Sequence, residues 1–246
     1  MREVDALAGE FLKQPIGEPP SNAMNLNLLW RGGRHSNFWL MDNHLAAAWC
    51  WAQTIQPDQS YRVLHIDAHY DARPSLIERW LSKPPTLSGL SLDAYLELTV
   101  EDGRETLPAV RWDNYIDVFM QFHGCQIERL FSATHSLGVP FSMGNWEEIR
   151  VQALPRAMEL LSEEGSPWIV NFDIDYLVAR MGARLRPMFS GEYIQSLCEG
   201  IRHGLERGGV HVVTICLSPE CAGGWAQAKD LAEEICSRSG LPFPRW

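Results

Sequence analysis

His65, Asp67, His69 and Asp71 alternate with Ile66, Ala68 and Tyr70 in LHIDAHYDAR, residues 64 to 73. In an extended chain alternate side chains share a face, so all four polar groups line one side of a strand. Buried imidazoles and carboxylates persist only with hydrogen bonds, counter-charges or a metal. A second acidic pair, Asp173 and Asp175, ends the apolar run PWIVNFDID. Taken alone, D-x-H-x-D fits hydrogen-bonded polar residues at a sheet edge as readily as a ligand set. Two such motifs on separate apolar strands gather five ionisable groups, and that favours a cation. Carboxylates mixed with imidazole suit a harder divalent ion such as Mn²⁺ better than a thiolate-type zinc site. Carboxylates can also bridge two ions, and two close ions can activate a water between them.

Such a site needs elements that bring the motifs together. The 246 residues, 46% of them hydrophobic, suit a single domain spanning 1–246 with a sizeable core. SNFWLMD, YRVLHIDAHYD, PWIVNFDID and VHVVTICLS read as strands. HLAAAWCWAQTI, DNYIDVFMQFHG, PRAMELLSEEG, SGEYIQSLCEGIRHGLERGG and WAQAKDLAEEICSRSG read as helices. Asp113 is expected to cap the second of these helices and Ser190 the fourth. Strands that alternate with helices and are apolar on both faces predict an α/β fold, a mostly parallel sheet covered on both sides. Ligands in such folds bind beyond the carboxyl ends of the strands, where both acidic motifs fall. Residues 72 to 111 read as a loop-rich excursion or lid around the short helical pieces IERWL and LDAYLEL.

The net charge of −10 disfavours nucleic acid and anionic membrane as partners and favours a cationic substrate. Six cysteines without a CxxC or regular framework read as reduced thiols of a cytoplasmic protein. The acidic N-terminus does not read as a secretory signal, and LAAAWCWA, the longest fully apolar run, is too short to span a bilayer.

DAHYD resembles the D-A-H-x-D motif of the arginase and agmatinase (ureohydrolase) superfamily, and FDID is similar to that superfamily's second motif. The helix, glycine-closed turn and strand that follow, SGEYIQSLCEGIRHGLERGGVHVVTICLSP, also resemble the family's C-terminal third. The resemblance implies an arginase-like three-layer α-β-α fold and two Mn²⁺ ions. It places His44, Asp67, Asp71 and Asp173 on one ion and Asp67, His69, Asp173 and Asp175 on the other. His44 is preferred over His35 of GGRHS because it follows an apolar strand and opens a small-residue helix. His65 lies one strand step deeper and is expected beneath the site.

The resemblance also implies hydrolysis of a guanidinium to urea and an amine. The catalytic expectation falls on Asp71, within the ligand set, and on His123, chosen over His135 as proton shuttle. The family's guanidinium-binding Glu is replaced here by Cys216, and Glu220 in CLSPE is expected to supply that anion instead. Asn114 is a further candidate for substrate contact, with a helix-cap role as its alternative. The altered SPE motif and the DNYI segment resemble a divergent branch that includes peptide arginases, which convert arginine residues of ribosomally made precursor peptides to ornithine. The expected partner is therefore an arginine-containing precursor peptide, with a small guanidino compound such as agmatine as the alternative. A deacetylase of related fold and a non-catalytic, metal-containing peptide-binding protein are the remaining alternatives. A homo-oligomer is left open.

Overall fold

The structure is a computed structural model that describes residues 9–20, 24–33, 37–75, 77, 86–142, 144–182 and 184–246. Its elements run β1 (Glu10–Lys13), β2 (Leu29–Arg31), β3 (Phe38–Met41), α1 (Ala47–Ala52), β4 (Tyr61–Ile66), α2 (Leu92–Leu96), β5 (Thr99–Asp102), β6 (Glu105–Pro108), α3 (Tyr115–His123), β7 (Ile127–Ala133) and β8 (Trp146–Glu148). There follow α4 (Leu154–Ala157), β9 (Trp168–Asp173), β10 (Val178–Met181), β11 (Arg184–Pro187), α5 (Gly191–Glu206), β12 (Val210–Cys216), α6 (Pro219–Ala222) and α7 (Trp225–Ser239).

Eight strands form one sheet in the order β1-β2-β3-β12-β9-β4-β7-β8. From β3 to β8 every neighbouring pair is parallel, and β1 and β2 continue the sheet antiparallel at one edge. The expected α/β architecture is present. Alternate strand residues enter two apolar clusters, one holding α1, α2 and α3, the other α5 and α7. Burial on both faces explains why β4, β9 and β12 read as near-continuous apolar runs.

The polar exceptions to those runs have a place. His65 on β4, Asn171 on β9 and Thr214 on β12 lie in register and form a lateral row across the sheet. The next position along each strand face is acidic or nucleophilic: Asp67, Asp173 and Cys216. β4 and β9 are neighbours whose following helices, α3 and α5, pack on opposite faces. This is the switch point at which a parallel sheet opens a crevice at its carboxyl edge.

Local expectations fared unevenly. Ser190 caps α5, its Oγ accepting from the Tyr193 amide at 3.3 Å. Asp113 does not cap α3: Asn114 holds the cap position, and Asp113 pairs with Arg111 and Arg73. TVEDGRETLP is a β-hairpin, β5 and β6, not a loop. Its two-residue turn begins with Gly103 at φ 70°, a conformation glycine adopts without a Cβ clash. Most of IERWL lies outside the described residues, as does His35. PRAMELLSEEG gives only the short α4 before tightening into a 3-10 turn, Met158–Ser162. That turn lies close against α5, where a Cβ on Gly200 would stand 2.4 Å from the Met158 Cβ.

Candidate metal centre

Three parallel strands deliver the candidate ligands to one edge. β4 leads into Asp67, His69 and Asp71, and β9 ends on Asp173, with Asp175 in the 3-10 turn Ile174–Leu177. After β3 the chain turns through Asp42 and Asn43 into the 3-10 turn His44–Ala46. The Asn43 side chain caps that turn by accepting from the Leu45 amide at 3.0 Å. Asp42 anchors it by accepting from the amides of Leu28 and Asn27 at 2.8 and 2.9 Å.

All six residues expected as ligands converge. His44 Nδ1 stands 3.3 Å from Asp67 Oδ2, 3.3 Å from Asp71 Oδ2 and 3.2 Å from Asp173 Oδ2. His69 Nδ1 stands 3.3 Å from Asp67 Oδ1 and 3.0 Å from Asp175 Oδ2. The two oxygens of Asp67 therefore face two different imidazoles. Oδ2 of Asp67 is fully buried and has no hydrogen-bond partner, a costly arrangement that an ion would relieve. The ligand atoms of His44, Asp67 and Asp71 lie within 4.8 Å of one another, as do those of Asp67, Asp173 and Asp175. These buried groups can hold a metal ion.

The electrostatics point the same way. Burial and the neighbouring charge of Asp67 push the Asp71 carboxyl up to about 8. Burial likewise raises Asp173 and Asp175, aided by the acids beside them. Hydrogen bonds to Asp175 and Asp67 push the His69 imidazole up to about 11. Burial opposes protonation of His44, but Cys216, Tyr115 and Asp173 outweigh it and hold the ring well above its ordinary value. Asp71, Asp173 and Asp175 thus favour their protonated forms. At Asp67 the His44 and His69 imidazoles overcome burial and hold the carboxyl well below its ordinary value. A divalent cation would replace the protons of this cluster.

Beneath the acids lies a neutral floor. Asn171 Nδ2 donates to His65 Nδ1 at 3.0 Å and to the Tyr115 hydroxyl at 2.9 Å, while its Oδ1 accepts from Thr214 Oγ1 at 2.7 Å. His65 Nε2 donates to the His69 carbonyl at 3.0 Å. Burial lowers the His65 imidazole to about 4, so it stays neutral. His65 is a support under the cluster, as its depth on the strand implied.

Two residues at the rim hold unfavourable backbone. Asp71 has φ 49° and Ser218 φ 39°, the left-handed region that non-glycine residues rarely occupy. At Asp71 this turns the carboxylate back towards His44. At Ser218 it lets the hydroxyl donate to Asp173 Oδ2. A narrow cleft of about 20 Å³ opens over the cluster, bordered by Asn43, Trp112, Ser218, Glu220 and Cys221 and by every expected ligand except Asp67.

Glu220 is thus at the cleft. Asn114 is not: its Oδ1 accepts from the Arg111 amide at 2.7 Å and its Nδ2 donates to the Ala109 carbonyl at 3.0 Å. It staples the entry to α3. His123 also lies away from the cleft. Its Nδ1 meets Gln126 Oε1 at 3.1 Å, and Gln126 bonds the carbonyls of Gln56 and Pro57 in the loop that enters β4. That loop is at the amino edge of the sheet, opposite the cluster. His135 is at the carboxyl edge, stacked on Tyr176 with its Nε2 2.9 Å from the Tyr176 carbonyl.

Asn171, Thr214 and Ser218 were missed by sequence reasoning, and Cys216 entered it only as the replacement for a family Glu. The same period of two that exposed D-x-H-x-D marks N-x-D on β9 and T-x-C-x-S on β12. Compared with protein-family models and with curated proteins, the chain matches none.

Proposed function

We propose that the chain is a dinuclear amidinohydrolase that hydrolyses the guanidinium of an arginine residue in a peptide to ornithine and urea. The observation that carries this reading is Asp67, buried between His44 and His69 with one oxygen towards each. A carboxylate so placed is suited to bridge two ions. His44, Asp71 and Asp173 would complete one position, and His69, Asp173 and Asp175 the other. These carboxylate and imidazole donors would accept Mn²⁺ at both. Bound there, the ions would lower the pKa of a water and polarise the guanidinium.

The chain's own residues would do the rest. Glu220 would pair with the cationic guanidinium as it leaves water, and the Trp112 ring, edge-on to His69 at 6.2 Å between centroids, would flank it. Water adds to the guanidinium carbon, the bond from that carbon to the substrate's side-chain nitrogen breaks, and the amine leaves with a proton. Asp71, which borders the cleft, would pass that proton.

A peptide is favoured over a free amino acid by what lies beside the cleft. Glu220 also lines a neighbouring groove of about 490 Å³ with Arg180, Leu185, Arg186, Gly223, Gly224 and Gln227. A groove that shares Glu220 with so small a cleft suits a substrate whose side chain enters while its backbone stays outside. Urea release from an arginine-containing peptide, free arginine and agmatine, each with added Mn²⁺, tests this. Urea from the peptide is the expected result. Urea from a small molecule alone overturns the peptide assignment, and urea from none of them overturns the amidinohydrolase reading.

A further inference from the structure

We propose that Cys216 and Cys221 contribute sulfur to the metal centre, one at each position, and that the centre therefore takes a softer ion such as Co²⁺, Fe²⁺ or Zn²⁺ in preference to Mn²⁺. This rests on the metal reading of the cluster and not on the guanidinium reading.

The sulfurs flank the cluster on opposite sides. Sγ of Cys216 and ligand atoms of His44 and Asp173 lie within 4.8 Å of one another, and Sγ of Cys221 stands in the same relation to His69 and Asp175. Zinc-type ions bind sulfur at about 2.3 Å and nitrogen or oxygen at about 2.0–2.2 Å, so two donors of one ion are separated by at most roughly 4.5 Å. Small rotamer changes would bring each sulfur onto the ion held by its neighbours.

Their positions in the fold are also specific. Cys216 ends β12 in register with Asp173 on β9, and its Sγ is 3.2 Å from the Ser218 hydroxyl that binds the same aspartate. Cys221 is in α6, its amide donating to the Ser218 carbonyl at 2.9 Å, and it lines the cleft beside Glu220. The contrast with the other buried cysteines is plain. Cys50, Cys198 and Cys236 pack among apolar side chains, and none of them joins a candidate ligand group among the described residues. Thiolate ligands select softer ions than a carboxylate and imidazole set does. Each thiol that binds gives up its proton to solvent, so ion uptake should release more protons than in the serine variants.

The test is to add Co²⁺ to ion-free protein and record absorption in the near ultraviolet, where thiolate-to-cobalt charge transfer appears. Wild type is expected to show the band, Cys216→Ser and Cys221→Ser to lose part of it each, and the double variant to bind Co²⁺ without it. The preference for Zn²⁺ over Mn²⁺ should fall at least about tenfold in the double variant. Stoichiometric Co²⁺ without the band in wild type overturns sulfur ligation and leaves the metal centre standing. Failure to bind Co²⁺ at all overturns both. Cys216 is fully buried, so its variant tests packing as well as ligation. Cys221 is partly exposed, and a band unchanged in a folded Cys221→Ser protein is enough to overturn the proposal.

Discussion

Ser218 donates its hydroxyl hydrogen to Oδ2 of Asp173 from a backbone conformation, φ 39°, that serine rarely adopts. The bond orients a buried carboxylate that faces His44, so the strained turn serves the cluster. Ser218→Ala should lose the bond and keep the strain, whereas Ser218→Gly should lose the bond and relieve about 1 kcal/mol of strain. Both variants should bind metal about 10-fold to 100-fold more weakly. The glycine variant should have the higher melting temperature of the two without metal. Equal metal affinity in wild type and both variants, measured by calorimetry, would remove the orienting role.

Crowded carboxylates destabilise the ion-free protein and bind the ion. Asp173→Asn and Asp175→Asn, at carboxyls that burial and neighbouring acids raise, should therefore raise the melting temperature measured in chelator by a few degrees. The same variants should abolish the stabilisation that a divalent ion gives wild type, about 2.7 kcal/mol at a concentration 100 times its Kd. Retained stoichiometric metal in both variants, measured by elemental analysis, would refute the ligand assignment.

Asn171 joins the floor of the site through His65, Tyr115 and Thr214. Asn171→Ala should remove one hydrogen bond from each of these partners in a buried setting and cost about 3 kcal/mol of stability. Chemical denaturation checks the magnitude. A loss below about 0.5 kcal/mol would mean that water or repacking replaces the network.

His123 supplies a pH test away from the cluster. Burial lowers its imidazole below the ordinary histidine value. The unfolded chain takes up that proton first as pH falls, so the stability it contributes is present above the ordinary histidine range and is lost on acidification through it. Relative to wild type, His123→Asn should flatten that decline and leave urea production unchanged. A large loss of activity with the fold intact would restore the proton-shuttle role.

The cluster was legible because strand geometry is simple. A period of two and apolar flanks were enough to place Asp67, His69, Asp71, Asp173 and Asp175 on one edge, and the resemblance added His44. What depended on packing was not legible. His123 and His135 have the same residue type and similar sequence distance from the motifs, and only the third dimension puts them at opposite edges of the sheet. Asn114 looked like a cap or a substrate contact because its amide can serve either, and the local turn claims it. The β5–β6 hairpin was missed because its strands are short, mostly exposed and interrupted by Pro108, so they carry little apolar alternation.

The strand order has a consequence for how the site comes into being. β3 and β4, which bring His44 and Asp67, are separated in the sheet by β9 and β12, which come from the last third of the chain. Until residue 173 has joined, the two early ligand segments have a gap between them two strands wide, about 10 Å of sheet. The centre is therefore assembled by the insertion of the late strands, and an ion bound across it fastens the first half of the chain to the second. Ion-free protein should accordingly exchange the amides of β9 and β12 faster than ion-bound protein, at the seam where the two halves meet.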